Sequence, residues 1–470
     1  METQDSTKPL HPFPQAKKNN YKIMPIKPTR ITQEEMDAAI IRQFKQLVDN
    51  EDITIDPGTV LGSYTPEQIC GMTLSEMVAT NPDGFRMVMK HTSGGGAART
   101  QLTSSESMGF GMLMLAILAG QDIALEFSVK AYFDGMFRSL LYWHSGIPVN
   151  GRKSHLMAWQ LIQLGGAGTP YLRPLLVHDP TLTEEDNSAT DGDLDMAYAL
   201  LLADKQWGSC GKYDYRKYAL SMINDIWEIC IDSDSVKHKE LGVVPNYHIK
   251  TGDFANSDPH WVPTYGRLWD ITRPSDFMLS HIKVFKTVDP AHDWQKVIDA
   301  TYECIRQLCS LQPKSTGLLP DFAMFDRKTK SWIPLPGTFE HHWENPWDGE
   351  YHQNACRTPL RLAMDYMLSG ETPIDEVCLV PLNKHLKATS GGDFTRITGY
   401  ELDGTPRGEN TPYYSNPPLA LAAALGDKNW LDNGWEYAKD LKWHNDRYGS
   451  YLNVLALIVA SGNYWSPVSL

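Results

Sequence analysis

Two apolar patterns take turns along the chain. In one, apolar residues recur at helical spacing on a single side, as Met36, Ala39, Ile40, Phe44 and Leu47 do behind Thr32-x-x-Glu35, a capping-box pair. In the other, the segment is apolar all round, as over Met108, Phe110 and Met112–Ala119. A one-sided stripe predicts a helix with a wet face, and an all-round apolar segment predicts a helix covered on every side. The spacing predicts twelve helices. The first, third, fifth, seventh, ninth and eleventh cover about 32–47, 122–141, 215–230, 292–310, 373–387 and 428–440. Those between them, at about 105–119, 188–208, 274–287, 355–368, 417–425 and 451–460, are generally more apolar.

An outer ring of half-wet helices around an inner ring of covered ones is an all-α, (α/α)6 barrel. The expected organisation is one such domain over residues 31–470, behind a Pro- and Lys-rich extended arm at 1–30. Few strand alternations interrupt it. Small β hairpins are expected within 240–265 and 318–336. Residues 50–104 read as irregular, with Gly94-Gly95-Gly96 as a flexible loop.

Composition narrows the function. The chain of 470 residues is 42% hydrophobic and carries 43 Lys plus Arg against 57 Asp plus Glu, a formal charge of −14. That balance argues against nucleic acid, whose phosphates require a basic face. The longest apolar run, Gly109–Gly120, is too short to span a bilayer. Seven scattered cysteines show no C-x-x-C pair, so neither a zinc site nor a disulfide scaffold is expected. The N-terminus has no basic and apolar leader pattern, which suits an intracellular chain or one whose leader is gone. No cofactor is expected, and the chain is read as a monomer. The 14 Trp and 21 Tyr supply flat amphipathic rings suited to sugar faces, although most aromatics pack in cores.

The polar residues gather ahead of the covered helices. Glu106 precedes Met108 and Phe110; Asp191, Asp193 and Asp195 open the fourth helix; Trp261, Trp269, Arg273 and Asp276 lead into the sixth. Glu340, Trp343, Glu344, Trp347, Asp348, Glu350, Asn354 and Arg357 lead into the eighth, and Tyr413 and Tyr414 into the tenth. In a double ring the inner N-termini share one rim, and their dipoles favour carboxylates there. Thr190 or Asp191 can cap the fourth helix. Three Asp within five residues exceed a cap and call for water or a ligand. Paired carboxylates among aromatics suit glycoside hydrolysis, in which one carboxyl protonates the leaving oxygen and a second attacks carbon or activates water. Glu106 has a plain alternative as a first-turn residue favoured by the helix dipole.

Three stretches, T-S-S-E-S-M-G-F-G-M, A-T-D-G-D-L-D-M-A-Y-A-L-L-L-A-D-K-Q-W and N-A-C-R-T-P-L-R-L-A-M-D-Y, resemble blocks of glycoside hydrolase family 8, and T-R-P-S-D-F-M-L-S-H adds a fourth. The resemblance runs from about residue 25 to Trp465. It implies an (α/α)6 barrel that cuts β-1,4 links with inversion. By matching positions it implies Glu106 as general acid, Asp191 as the residue gripping the distorted sugar, and Arg357 as the site arginine. Much of the family carries an Asp base where this chain has Asn354, within Gln353-Asn354-Ala355-Cys356-Arg357. A branch of Bacillus-type chitosanases and β-glucanases also has Asn there and takes its base from an upstream loop. That implies Glu344, with Glu350 and then Glu340 as fallbacks. An inverting pair stands about 6.5–9.5 Å apart to admit water.

Asp276 and Asn354 are expected to hydrogen-bond sugar or to cap their helices. Trp261, Trp269, Trp347 and Tyr413 are expected stacking platforms or packing residues. Arg357 has a structural alternative, an ion pair with Asp365 or another buried carboxylate. His341-His342 beside Glu340 and Glu344 lacks metal-ligand spacing, so no metal is expected. The expected substrate is a β-1,4-linked polysaccharide or oligosaccharide, with chitosan placed first and cellulose or mixed-linkage glucan as the alternative. The implied setting is secretion from a bacterium, with a cytoplasmic place still open. Two readings of other classes stand beside it. One is a sugar-binding toroid without turnover. The other is a metal-dependent α/α toroid, for which Asp191-Gly-Asp-Leu-Asp is the nearest mimic of a D-D-x-x-D set.

Overall fold

The structure is a computed structural model. It describes residues 8–55, 84–88, 99–145, 147–164, 171–174, 188–233, 236–251, 261–262, 266–267, 270–337, 343–442 and 447–470. Among the described residues twelve helices have eight residues or more: α1 Gln33–Glu51, α2 Ser105–Ile117, α3 Val129–Tyr142, α4 Thr190–Trp207, α5 Tyr215–Cys230, α6 Leu279–Val288, α7 Trp294–Ser310, α8 Thr358–Ser369, α9 Val380–Ser390, α10 Pro418–Leu425, α11 Lys428–Ala438 and α12 Arg447–Ala460. None is long and apolar enough to cross a membrane.

The burial of these helices follows the two patterns. Every residue of α2 is buried, as are 190–203 of α4, 418–424 of α10 and 449–460 of α12. In α7 only a stripe is buried: Trp294, Val297, Ile298, Thr301, Tyr302, Cys304, Ile305 and Leu308. The capping box closes as expected, with Thr32 N–H donating to Glu35 Oε2 at 2.8 Å and Glu35 N–H to Thr32 Oγ1 at 3.3 Å.

Four expected helices start differently from their pattern. The 122–141 stretch breaks into a turn at Asp122–Leu125 and α3, because Glu126 adopts a left-handed φ of 65° and Ser128 caps a new start at Ala131 N–H. A 3-10 turn at Pro274–Asp276 precedes α6, and another at Ala355–Arg357 leads into α8. A wide turn at Asp375–Leu379 runs into α9, where Pro381 occupies the first turn and lacks an N–H.

The β content has one surprise. Hairpin strands Ala323–Asp326 and Ser331–Pro334 lie within the expected 318–336, and Ile271–Thr272, outside it, joins their sheet. Trp261–Val262 falls within the expected 240–265, but its partner Gly266–Arg267 lies just beyond that range. The 50–104 region, read as irregular, instead supplies the pair Asp52–Ile55 with Phe85–Val88 and the strand Arg99–Ser104. The last pairs with Gln160–Leu164, which pairs with Tyr171–Pro174. These strands are short, and partners elsewhere along the chain stabilise them. The expected Gly94–Gly96 loop lies outside the described residues.

Contacts divide the chain into two compact units, Met1–Phe13 with Phe44–Ile229, and Pro14–Gln43 with Cys230–Leu470. In the first, α2 crosses α4 backbone to backbone. A Cβ at Gly192 would fall on the Ser105 carbonyl and lie 2.6 Å from Glu106 N, and one at Gly109 would lie 2.8 Å from Asp195 Cβ. Glycine is required at that crossing by space. The second unit holds α6–α12 and the 323–334 hairpin. The described N-terminal segment is extended and tied down by its backbone. Phe13 N–H donates to Ala119 O in the first unit, and Lys22 and Ile23 N–H donate to Met367 O in the second.

Candidate active site

In the first unit the crossing of α2 and α4 sets Glu106 beside the Asp triplet. Ser104 ends its strand in extended backbone, caps α2 by accepting from Ser107 N–H at 3.3 Å, and leaves Glu106 in the first turn. Glu106 is 8% exposed. Asp191, Asp193 and Asp195 are all buried, which removes the solvated-surface reading of the triplet. The expected cap by Thr190 or Asp191 is also corrected. Helix α4 starts at Thr190 after Ala189, which makes no side-chain cap, and Asp191 Oδ1 accepts from Gly192 N–H at 2.7 Å. Asp193 Oδ1 accepts from Met157 N–H at 3.3 Å, and burial pushes its carboxyl well above the usual range. A buried carboxyl at the α4 start therefore favours its neutral form.

In the second unit Glu344 is held from three directions. Asp348, fully buried, accepts backbone N–H groups of Trp343 (2.6 Å), Glu344 (3.2 Å) and Asn345 (3.1 Å), which fixes the loop around it. Arg273 Nη2 lies 2.7 Å from Glu344 Oε1, and Asn354 Nδ2 donates to Glu344 Oε2 at 2.8 Å. Both carboxylate oxygens thus face donors. The Asn354 side chain touches Glu344.

Glu350, the fallback, turns elsewhere. Its carboxylate lies 3.1 Å from Arg407 Nη2, which also pairs with Glu401 at 3.0 Å. Glu340, with His341 and His342, lies outside the described residues. Arg357 is fully buried, and its Nη2 donates to Ser275 Oγ at 2.6 Å and reaches Asp276 Oδ1 at 3.3 Å. Asp276 is thus the other buried carboxylate of the structural alternative, and Asp365 is not the partner: it instead takes Lys283 Nζ at 2.6 Å and the Tyr302 hydroxyl at 2.9 Å. Asn354 does not cap its turn with its side chain, and neither does Asp276.

Among the expected platforms, Trp347 lies over His352, with ring centroids 5.0 Å apart and planes tilted 33°. Tyr413 packs against Tyr414 at 4.6 Å and Tyr448 at 5.7 Å. Trp261 belongs to a described strand, and Trp269 lies outside the described residues. Among the described residues no group of three or more His, Cys, Asp or Glu is placed to hold a metal ion.

The sequence pattern gave no role to Arg273, Asp348 or Asp321. Asp348 carries a signal that was available, an Asp three residues from Asn345 on a Pro- and Trp-rich loop, the spacing of a side chain that accepts local backbone N–H groups. Asp321 sits within Leu318-Leu319-Pro320-Asp321-Phe322 and has no such local mark.

A sequence model of the glycosyl hydrolases family 8 matches residues 94–342. The chain is 30% identical over 469 residues to an endoglucanase of Bacillus sp. strain KSM-330, covering 98% of this chain and 83% of that one. It is 31% identical over 413 residues to a beta-glucanase of Niallia circulans, covering 86% and 89%. A solved apo beta-1,3-1,4-glucanase of Paenibacillus sp. X4 superposes with a TM-score of 0.73 at 28% identity, covering 97% of this chain and all of that one. A xylose complex of Rex8A from Paenibacillus barcinonensis, at 16% identity and a TM-score of 0.62, shares the fold. The all-α, (α/α)6 class expected from the helix rhythm is the class of this chain. With a match over more than half its length and relatives of this identity, the chain is a glycoside hydrolase and belongs to the glycosyl hydrolases family 8.

Proposed function

We propose that the protein is an endo-acting, inverting β-glucanase that cuts β-1,4 links in cellulose or mixed-linkage β-glucan. Glu106 gives its proton to the leaving oxygen, and Glu344 takes one from the attacking water. The observation that carries the assignment of the base is the 2.8 Å hydrogen bond from Asn354 to Glu344. Asn cannot accept a proton from water, but here it presents its amide to a carboxylate that Arg273 also contacts. Glu350, already paired with Arg407, is less suited to that task. Asp191, Asp276 and Arg357 are assigned to sugar binding, with Trp347 and Tyr413 as ring platforms.

The relatives support glucan over chitosan, which had been placed first: the similar proteins are an endoglucanase and β-glucanases. A polymer of this size does not cross a membrane, so an endo-acting enzyme for it is assigned to the outside of the cell. The test is reducing-end release from barley β-glucan, carboxymethyl cellulose, chitosan and xylan in parallel. Release is expected first from the glucans. Release from chitosan alone would return the substrate to the earlier expectation. Glu106→Gln and Glu344→Gln should each lower kcat by about a hundredfold to ten-thousandfold. Full turnover by folded Glu344→Gln would remove the assigned base.

A further inference from the structure

Glu344 has two side-chain donors, Asn354 and Arg273, and both rest on one dipeptide. Asp321 is fully buried and accepts the N–H groups of His352 (3.0 Å), Asn354 (3.2 Å) and Ala355 (2.7 Å). Its Oδ2 also lies 3.4 Å from Asn354 Nδ2, so one amide spans Asp321 and Glu344. The next residue, Phe322, is buried and lies under the other donor, with the Arg273 guanidinium 4.9 Å from its ring centroid. The backbone joins in: Asp321 N–H donates to Glu350 O and Phe322 N–H to Asp348 O, both at 2.8 Å. The same two residues therefore brace the Asn354 turn, the Arg273 guanidinium and the loop that carries Glu344.

We propose that Asp321 and Phe322 are positioning residues for the general base, acting through Asn354 and Arg273. This rests on the reading of Glu344 as base. Arg273 has 11% of its side chain exposed and would swing without a ring beneath it, since a long cationic side chain retains many rotamers. Asn354 would turn its amide away once the carboxylate behind it is gone. In either case Glu344 keeps its backbone place and loses a donor, which harms turnover and leaves the sugar contacts alone.

The test measures kcat, KM and the pH profile of kcat/KM for Asp321→Ala, Phe322→Leu and Phe322→Tyr, with Glu344→Gln as control and melting curves for folding. Among the described residues, Arg273, Asp321 and Asp348 are charged or titratable groups facing Glu344. Asp321→Ala and Phe322→Leu should lower kcat by about tenfold or more, with KM within about twofold. Phe322→Tyr, which keeps the ring face, should restore most of kcat. If Asp321→Ala does not fold, the two Phe322 variants decide. Native kcat in folded Phe322→Leu overturns the proposal, as does a raised KM at native kcat. An active Glu344→Gln overturns the base reading and this proposal together. An inactive Glu344→Gln beside fully active Asp321→Ala and Phe322→Leu overturns the proposal alone.

Discussion

Asn354 shows how a residue that cannot perform proton transfer still bears on it. Its amide donates to Glu344 Oε2 at 2.8 Å while its backbone N–H is tied to Asp321. Removing the side chain in Asn354→Ala should lower kcat/KM about ten- to hundredfold, the worth of one hydrogen bond to a charged group. Asp321 carries a separate signature in stability. Burial raises its carboxyl from 3.8 to about 7, against the opposing pull of the N–H groups it accepts. The folded protein thus binds a proton that the unfolded chain has lost over that interval. The stabilisation is complete below about pH 4 and is lost as pH rises through about 7. Asp321→Asn lacks this titration. Urea unfolding of the two proteins between pH 4 and pH 7.5 should show the native one losing ground steadily, by up to about 4 kcal/mol. Parallel curves would contradict it.

At the scale of elements, two glycines let α2 and α4 touch along their first turns. Gly192→Ala should be disruptive, because its methyl group would meet the Ser105 carbonyl and Glu106 N, backbone atoms that cannot rotate aside. The expected cost is about 3 kcal/mol in denaturant unfolding, with a fall in kcat as the Glu106 turn is displaced. A variant of native stability and activity would mean that this crossing has slack. The starts of α3, α6, α8 and α9 teach a related lesson. Each departs from its apolar stripe at its N-terminal end, where local caps, prolines or a left-handed residue decide the geometry.

For the whole molecule, the chemistry predicts a stereochemical result. Direct displacement by water at a β-link should give α-configured product first, read by anomeric proton NMR during early hydrolysis. A β-configured first product would require a nucleophile in place of an activated water. Dialysis against EDTA should leave glucan cleavage unchanged within error, since two carboxyl groups supply the proposed proton transfers. A loss restored by a divalent cation would contradict that expectation.

Much of the fold was legible without coordinates because covered and half-wet helices leave different stripes, and these depend only on spacing along one segment. The motifs around Glu106, Asp191 and Asn354 likewise stand contiguous in the chain. The short strands at 52–55, 85–88 and 99–104 escaped notice because their stability comes from partners elsewhere. The support of Glu344 escaped for the same reason: Arg273 lies 71 residues from it, and Asp321 lies 33 from Asn354. The amino-acid order by itself determined which segments are helical, which faces are apolar and which family the motifs resemble. Tertiary packing alone decided that Arg357 takes Asp276 and not Asp365, that Glu350 goes to Arg407, and that Glu344 meets Asn354. Side-chain partners are chosen by distance in space, and local pattern contains no measure of it.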